Sequence, residues 1–297
     1  MNINIIGDQG QRKYDEDLAS QVNAEIEAEE RRKKLEEKRA RLQTESQTIE
    51  KPTEIQESQP NREPKTRQEK EIELSNYIIL PGRNNGPYSY PDFLIAKEIS
   101  KYNLEWNIAQ EELIREGSLM LTIKQFTDYL TLLNFGEPYD GTGRKLSKTE
   151  VANLFNQIMK KRVPQSEWLD AQFRRDEADL LISYWGITRK GSLLYTSERL
   201  DSKTLAEERI GTNGIDLNFW LTNKTVQGLP IASSPSGSVG YLPPKYSTTK
   251  TETVAFFKSN FNNKSFWGLN CTAKPNDYKD NSLGVRVAKL RKWHTYT

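Results

Sequence analysis

The chain contains one cysteine, Cys271, and one histidine, His294, and these two residues narrow its chemistry at once. A lone thiol forms neither an internal disulfide nor a Cys-x-x-Cys redox pair. A lone histidine excludes a His-rich metal centre, and it excludes a serine or cysteine nucleophile with an internally placed histidine base, unless another chain contributes. Carboxylates remain, because glycoside hydrolysis needs only two of them facing the scissile bond. Asp170 and Glu177 are seven positions apart beside Trp168 and could share a helix face, although a solvated charged face explains the pair more simply. Asp140 lies among glycines in Tyr139-Asp-Gly-Thr-Gly-Arg-Lys-Leu146, but the regular oxygen-ligand spacing of a calcium loop is missing. The same glycines fit neither the phosphate-binding loop nor the dinucleotide fingerprint, so a turn is expected there. The expectation is a chain with no cofactor, no metal and no catalytic residues.

Any such residues must be positioned by a chain that is only 35% hydrophobic, against about 45–50% in an average soluble domain on a somewhat broader definition. The deficit is uneven: every tryptophan and phenylalanine lies beyond residue 90. Residues 11–42 carry equal numbers of acidic and basic residues. Leu18, Val22 and Ile26 are spaced by four, and Ala28, Leu35 and Leu42 by seven. That is a helical pattern without a sustained heptad seam. It predicts a charged helical arm over 1–42, either solvated on its own, weakly self-associating or docking. Residues 43–71 read as a polar, disordered linker, and the globular domain is expected over 72–297. The net charge is +2 with the signs interleaved, so nucleic acid is not an expected partner. No run reaches the roughly 18 apolar residues of a membrane span, and the start is too short and polar for a secretory signal. A soluble protein, cytoplasmic or virion-associated, is the expectation.

Within 72–297, Tyr77–Leu80 reads as a strand entering a turn-rich loop. Trp106, Ala109 and Leu113 mark one helix, and a helix capped by Thr122 follows. Ser147-Lys-Thr-Glu150 has the spacing of a capping box for the next helix. Trp168–Phe173 suggests a short helix. Leu180–Trp185 and Leu193–Tyr195 look like strands, while 214–221 fits either strand or short helix. Together these elements predict an α+β domain.

The last part of the domain is different. From Val254 to Ala288, asparagines and lysines interleave with Phe256, Phe257, Phe261, Phe266, Trp267 and Tyr278. Rigid aromatic area with adaptable polar groups suits a binding surface. A loop-rich region whose aromatics close the core has the same composition. Asn281-Ser-Leu-Gly-Val-Arg-Val-Ala288 resembles the terminal Gly-Phe-Arg-Val-Ala element of C-type-lectin-like domains in the formylglycine-generating and sulfatase-modifying enzyme family and its noncatalytic relatives. Met120–Leu130 is similar to an early helix of that fold. Phe266-Trp-Gly-Leu-Asn-Cys271, followed by the Leu-Gly-Val-Arg end, resembles the variable region of target proteins of diversity-generating retroelements.

The resemblance implies a C-type-lectin-like fold over about three quarters of the chain, with the last strand close to the first and an internally paired arginine. It places Gly268, Leu269, Cys271, Leu283, Gly284 and Arg286 in a fixed frame. Asn260, Asn262, Asn263, Lys264, Phe266, Asn270, Thr272, Lys274, Asn276, Tyr278 and Lys279 would form a ligand-binding surface, and Trp267 could belong to either set. Aerobic catalytic members use a cysteine pair for copper, whereas this chain has only Cys271, so the resemblance implies fold without catalysis. The expected function is a ligand-binding display protein that recognises a protein or surface glycan and is open to retroelement diversification. A noncatalytic structural or assembly protein, such as a virion component, and a carboxylate-based hydrolase are the alternatives.

Overall fold

A computed structural model describes residues 66–84, 88–159, 166–177, 179–187, 192–245, 251–261, 264–273 and 283–291, without the side chains of 257–261 and 264–266. The arm expected over 1–42, and the linker up to residue 65, lie outside this description. Residues 65–297 form one unit. The expected linker boundary needs correction. Residues 67–71 belong to helix α1 (Arg67–Ser75), which starts with a reciprocal cap between Thr66 and Glu69. Thr66-x-x-Glu69 is itself a capping box, so local chemistry overrides the polar composition there.

The described residues form an α+β architecture of five α-helices and twelve strands. Strand β1 (Tyr77–Leu80) is followed by β2 (Phe93–Ala96), a strand beyond those that the sequence pattern suggests. Helix α2 (Trp106–Arg115) buries Trp106, Ala109, Gln110 and Leu113, a stripe at spacings of three and four. Helix α3 (Ile123–Phe135) begins at Thr122 with a full capping box to Gln125. Helix α4 (Lys148–Met159) follows Ser147, which exchanges hydrogen bonds of 2.8 and 3.2 Å with Glu150.

Next come β3 (Ser166–Asp176), β4 (Asp179–Ile187), β5 (Leu193–Arg199), β6 (Gly214–Ile215) and the short helix α5 (Leu217–Thr222). The expected helix at 168–173 is therefore strand. Its apolar residues alternate into two cores, Leu169, Ala171 and Phe173 into one and Trp168 into the other, so the period is two. The segment 214–221 resolves into both elements it suggested, with the Asp216 side chain accepting from the Phe219 amide at 2.7 Å to begin α5. The chain continues through β7 (Ser236–Gly237), β8 (Gly240–Leu242), β9 (Glu252–Phe261), β10 (Lys264–Ala273), β11 (Leu283–Gly284) and β12 (Ala288–Leu290).

One sheet has the order β1-β2-β12. The larger has the order β5-β4-β3-β9-β10-β8, with β11 added beside β3, and β6 pairs with β7. The larger sheet is packed on both faces. Val254, Phe256, Trp267, Leu269 and Cys271 join the main core with Phe126 and Leu130 of α3, whereas Ala255, Trp168 and Ala273 pack with Trp106, Ala109 and Leu113 of α2. Phe126, Phe256 and Trp267 stack in sequence with ring centroids 5.1 and 5.4 Å apart.

Candidate functional site

The polar and aromatic segment singled out above is built on the antiparallel β9–β10 ribbon. Pairing runs from Ala255↔Asn270 to Phe261↔Lys264, leaving only Asn262 and Asn263 between the strands. At the other end both neighbours of β9 lose register at the same point. On β10, Cys271 and Thr272 stand opposite the single residue Val254. On β3, Asp170 and Ala171 are extra between the Leu169↔Val254 and Gln172↔Thr253 pairs. Bulges of this kind twist a strand and re-aim its side chains.

Asn270 closes the β10 bulge. Its side-chain oxygen accepts hydrogen bonds from the Thr272 amide and hydroxyl, both at 2.8 Å. Asn270 is buried and Thr272 half-buried. Trp267 is also buried, edge-on to Phe256. Asn270 and Trp267 therefore leave the candidate binding surface and belong to the frame. An asparagine whose oxygen is used by its own backbone turn is structural, and a Trp beside Leu269 and Phe256 is core. Asn260, Lys264 and Phe266 hold ribbon positions opposite Ser265, Phe261 and Ser259, with side chains outside the description. Asn262, Asn263, Lys274, Asn276, Tyr278 and Lys279 lie outside the described residues.

The proposed frame residues are all buried. A Cβ on Gly268 would overlap the Gly240 carbonyl, because β10 runs parallel to β8 with these two glycines in register. A Cβ on Gly284 would meet the Ser100 carbonyl oxygen at 2.6 Å. Leu269, Cys271 and Leu283 are at most 1% exposed. Burial, followed by the nearby Glu252 carboxylate, pushes the Cys271 thiol well above its ordinary range, which makes it a poor nucleophile.

Arg286 is the centre of the C-terminal frame. Its Nε donates to Glu167 at 3.0 Å and its Nη1 to the carbonyls of Ala96 and Lys97 at 3.1 and 2.5 Å. The guanidinium also lies over the Tyr129 ring, 5.8 Å from its centroid. The main chain around it joins the sheets. Gly284 pairs with Glu167 of β3, Val285 exchanges hydrogen bonds with Ser100, and Ala288 pairs with β2 and bridges Leu119. Glu167 was not anticipated. The sequence signal was an acidic residue directly before the apolar run from Trp168, which only the fold pairs with an arginine 119 positions away.

The carboxylate pair considered for hydrolysis does not form. Asp170 is fully buried in β3, whereas Glu177 is exposed in the β3–β4 turn with φ 53°. Asp170 Oδ2 accepts from the Trp185 amide at 2.9 Å, and its Oδ1 has no hydrogen-bond partner among the described residues. Burial raises this carboxyl to about 8, opposed by the Trp185 amide and by the Gln110 side chain. Asp140 organises its turn instead of a cation. One oxygen accepts from the Thr142 and Arg144 amides, each at 3.1 Å, and the other from Arg144 Nε at 3.0 Å. Among the described residues no group of three or more His, Cys, Asp or Glu could hold a metal, and no helix is long and apolar enough to cross a membrane. Compared with protein-family models, curated proteins and solved structures, the chain matches none.

Proposed function

We propose that this chain is a noncatalytic, ligand-binding display protein of C-type-lectin-like fold. Its recognition surface is the β9–β10 tip together with residues 274–282. The observation that carries this reading is the anchoring of the polar segment. Buried Phe256 and Trp267 flank residues 257–266, and buried Ala273 and Leu283 flank residues 274–282. Each stretch is therefore held at both ends by core side chains. The partner is a protein or surface glycan, matched by the Asn, Lys and aromatic residues in these stretches. The bulge at Asn270 and the bonds of Arg286 hold the base of the platform rigid.

The test compares wild type with a tip variant carrying serine at Asn262, Asn263, Lys274, Asn276, Tyr278 and Lys279, on glycan and protein arrays. Saturable binding by the wild type, lost in the variant at unchanged melting temperature, is the expected result. Equal binding by the two proteins would place recognition elsewhere.

A further inference from the structure

Away from the β9–β10 ribbon, three cations converge on one buried carboxylate. Asp128 of α3 is paired with Arg83 Nε at 2.9 Å, Lys124 Nζ at 2.8 Å and Lys224 Nζ at 3.1 Å. It also accepts from the Tyr90 hydroxyl at 2.8 Å. The elements explain the convergence: Lys124 is one helical turn before Asp128, Arg83 comes from the loop after β1, and Lys224 from the segment after α5. Lys224 directs its remaining contacts to neutral oxygens, Leu221 O at 3.1 Å and Thr131 Oγ1 at 3.2 Å. With all four groups ionised the cluster carries two uncompensated positive charges, and the Asp128 oxygens are already occupied by five donor contacts.

Such an excess is costly where water is excluded. Burial, with repulsion from Lys124 and Arg83, holds the Lys224 ammonium at about 8 despite Asp128. Burial alone would raise the Asp128 carboxyl, but Lys224, Lys124 and Tyr90 keep it below its ordinary value. The charge is also accessible. Arg83 is 39% exposed and lines a cleft of about 410 Å³ with Asp128, whose apolar wall includes Leu80, Pro81, Leu132 and Phe135. Phe135 is 54% exposed, an unusual degree of exposure for a large aromatic side chain. Arg83 has five N–H donors. Nε serves Asp128 and the guanidinium lies beside the Tyr90 hydroxyl, and among the described residues nothing further takes its Nη donors.

We propose that this cleft binds a small ligand with an oxyanion head on an apolar body, such as an aryl phosphate or aryl carboxylate, the head on Arg83 and the body against Leu132 and Phe135. A guanidinium takes carboxylate and phosphate oxygens in a two-bond fork, and a concave, mostly apolar pocket with a few convergent polar groups is the usual form of a small-molecule site. Charge complementarity selects an anion over a neutral ligand.

The experiment titrates the full chain with phenylphosphate, inorganic phosphate and benzyl alcohol by calorimetry. Saturable binding of phenylphosphate, tighter than inorganic phosphate and with no saturation by benzyl alcohol, is expected. Arg83→Gln should weaken phenylphosphate by about tenfold or more, the loss of about 1.4 kcal/mol or more in a charged contact. Phe135→Ser, at a side chain that is 54% exposed, should bring phenylphosphate down to the affinity of inorganic phosphate. Absence of saturation by phenylphosphate up to about 10 mM, a range that covers weak fragment-like affinities, would overturn the proposal. So would equal binding of benzyl alcohol, or an affinity untouched by both substitutions.

Discussion

Arg286 and Glu167 show how much of this fold rests on single side chains. Both are almost wholly buried, so removing one partner leaves an uncompensated charge in the interior, a change that costs about 3–5 kcal/mol. Arg286→Met should therefore lower the urea midpoint steeply, and adding Glu167→Gln to it should recover part of the loss. A single substitution costing under about 1 kcal/mol, the scale of an exposed ion pair, would show that the pair is not the anchor it resembles. Asp170 gives a pH-dependent counterpart. Its folded pKa of about 8 lies above the ordinary carboxylate value of 3.8, so folding takes up a proton. The associated stability is complete below pH 3.8 and is lost as pH rises through about 8. Asp170→Asn keeps the acceptor for the Trp185 amide and removes the ionisation. The melting temperature of the variant should rise relative to wild type from about pH 4 to about pH 8 and level off above it, and a difference independent of pH would contradict this role. Sequence reading at this scale reached Arg286 and Cys271 through the resemblance. It misassigned Asn270, because an asparagine that closes a bulge has the same composition as one that meets a ligand.

At the scale of elements, legibility followed the range of the interactions. The caps at Thr122 and Ser147 are written within three residues, and both appear as the sequence predicts. Thr122→Ala and Ser147→Ala should each cost about 1 kcal/mol, measured by chemical denaturation; two silent substitutions would mean that tertiary packing alone holds these helix starts. Strand β3 reads as a helix because the adjacent apolar residues Trp168 and Leu169 face opposite cores, which hides the period of two carried by Leu169, Ala171 and Phe173. Gly268 is the clearest test of sheet geometry. Its Cβ would overlap the Gly240 carbonyl, so Gly268→Ala must push β8 from β10 and cost more than about 2 kcal/mol, in the range of severe core changes. A stable Gly268→Ala protein would show that the close parallel approach of β8 and β10 is dispensable.

For the molecule as a whole, the low apolar content is a matter of distribution. The described core forms two clusters that cover both faces of the large sheet, while the polar residues concentrate in the first 70 positions and in residues 257–266 and 274–282. The α+β class was legible because helix-period and strand-period segments come in separate runs along 77–221. The threading of 283–290 between the sheets was not, since it depends on pairings with Ser100, Leu119 and Glu167 that no local pattern encodes. The central claim is a rigid frame carrying a replaceable polar surface. The most direct measurement is saturation substitution across 254–288, read out by protease resistance of the folded chain. The account predicts that Trp267, Gly268, Leu269, Asn270, Cys271, Leu283, Gly284 and Arg286 tolerate almost no change, while Asn262, Asn263, Lys274, Asn276, Tyr278 and Lys279 accept most residues. Equal intolerance in the two sets would contradict it.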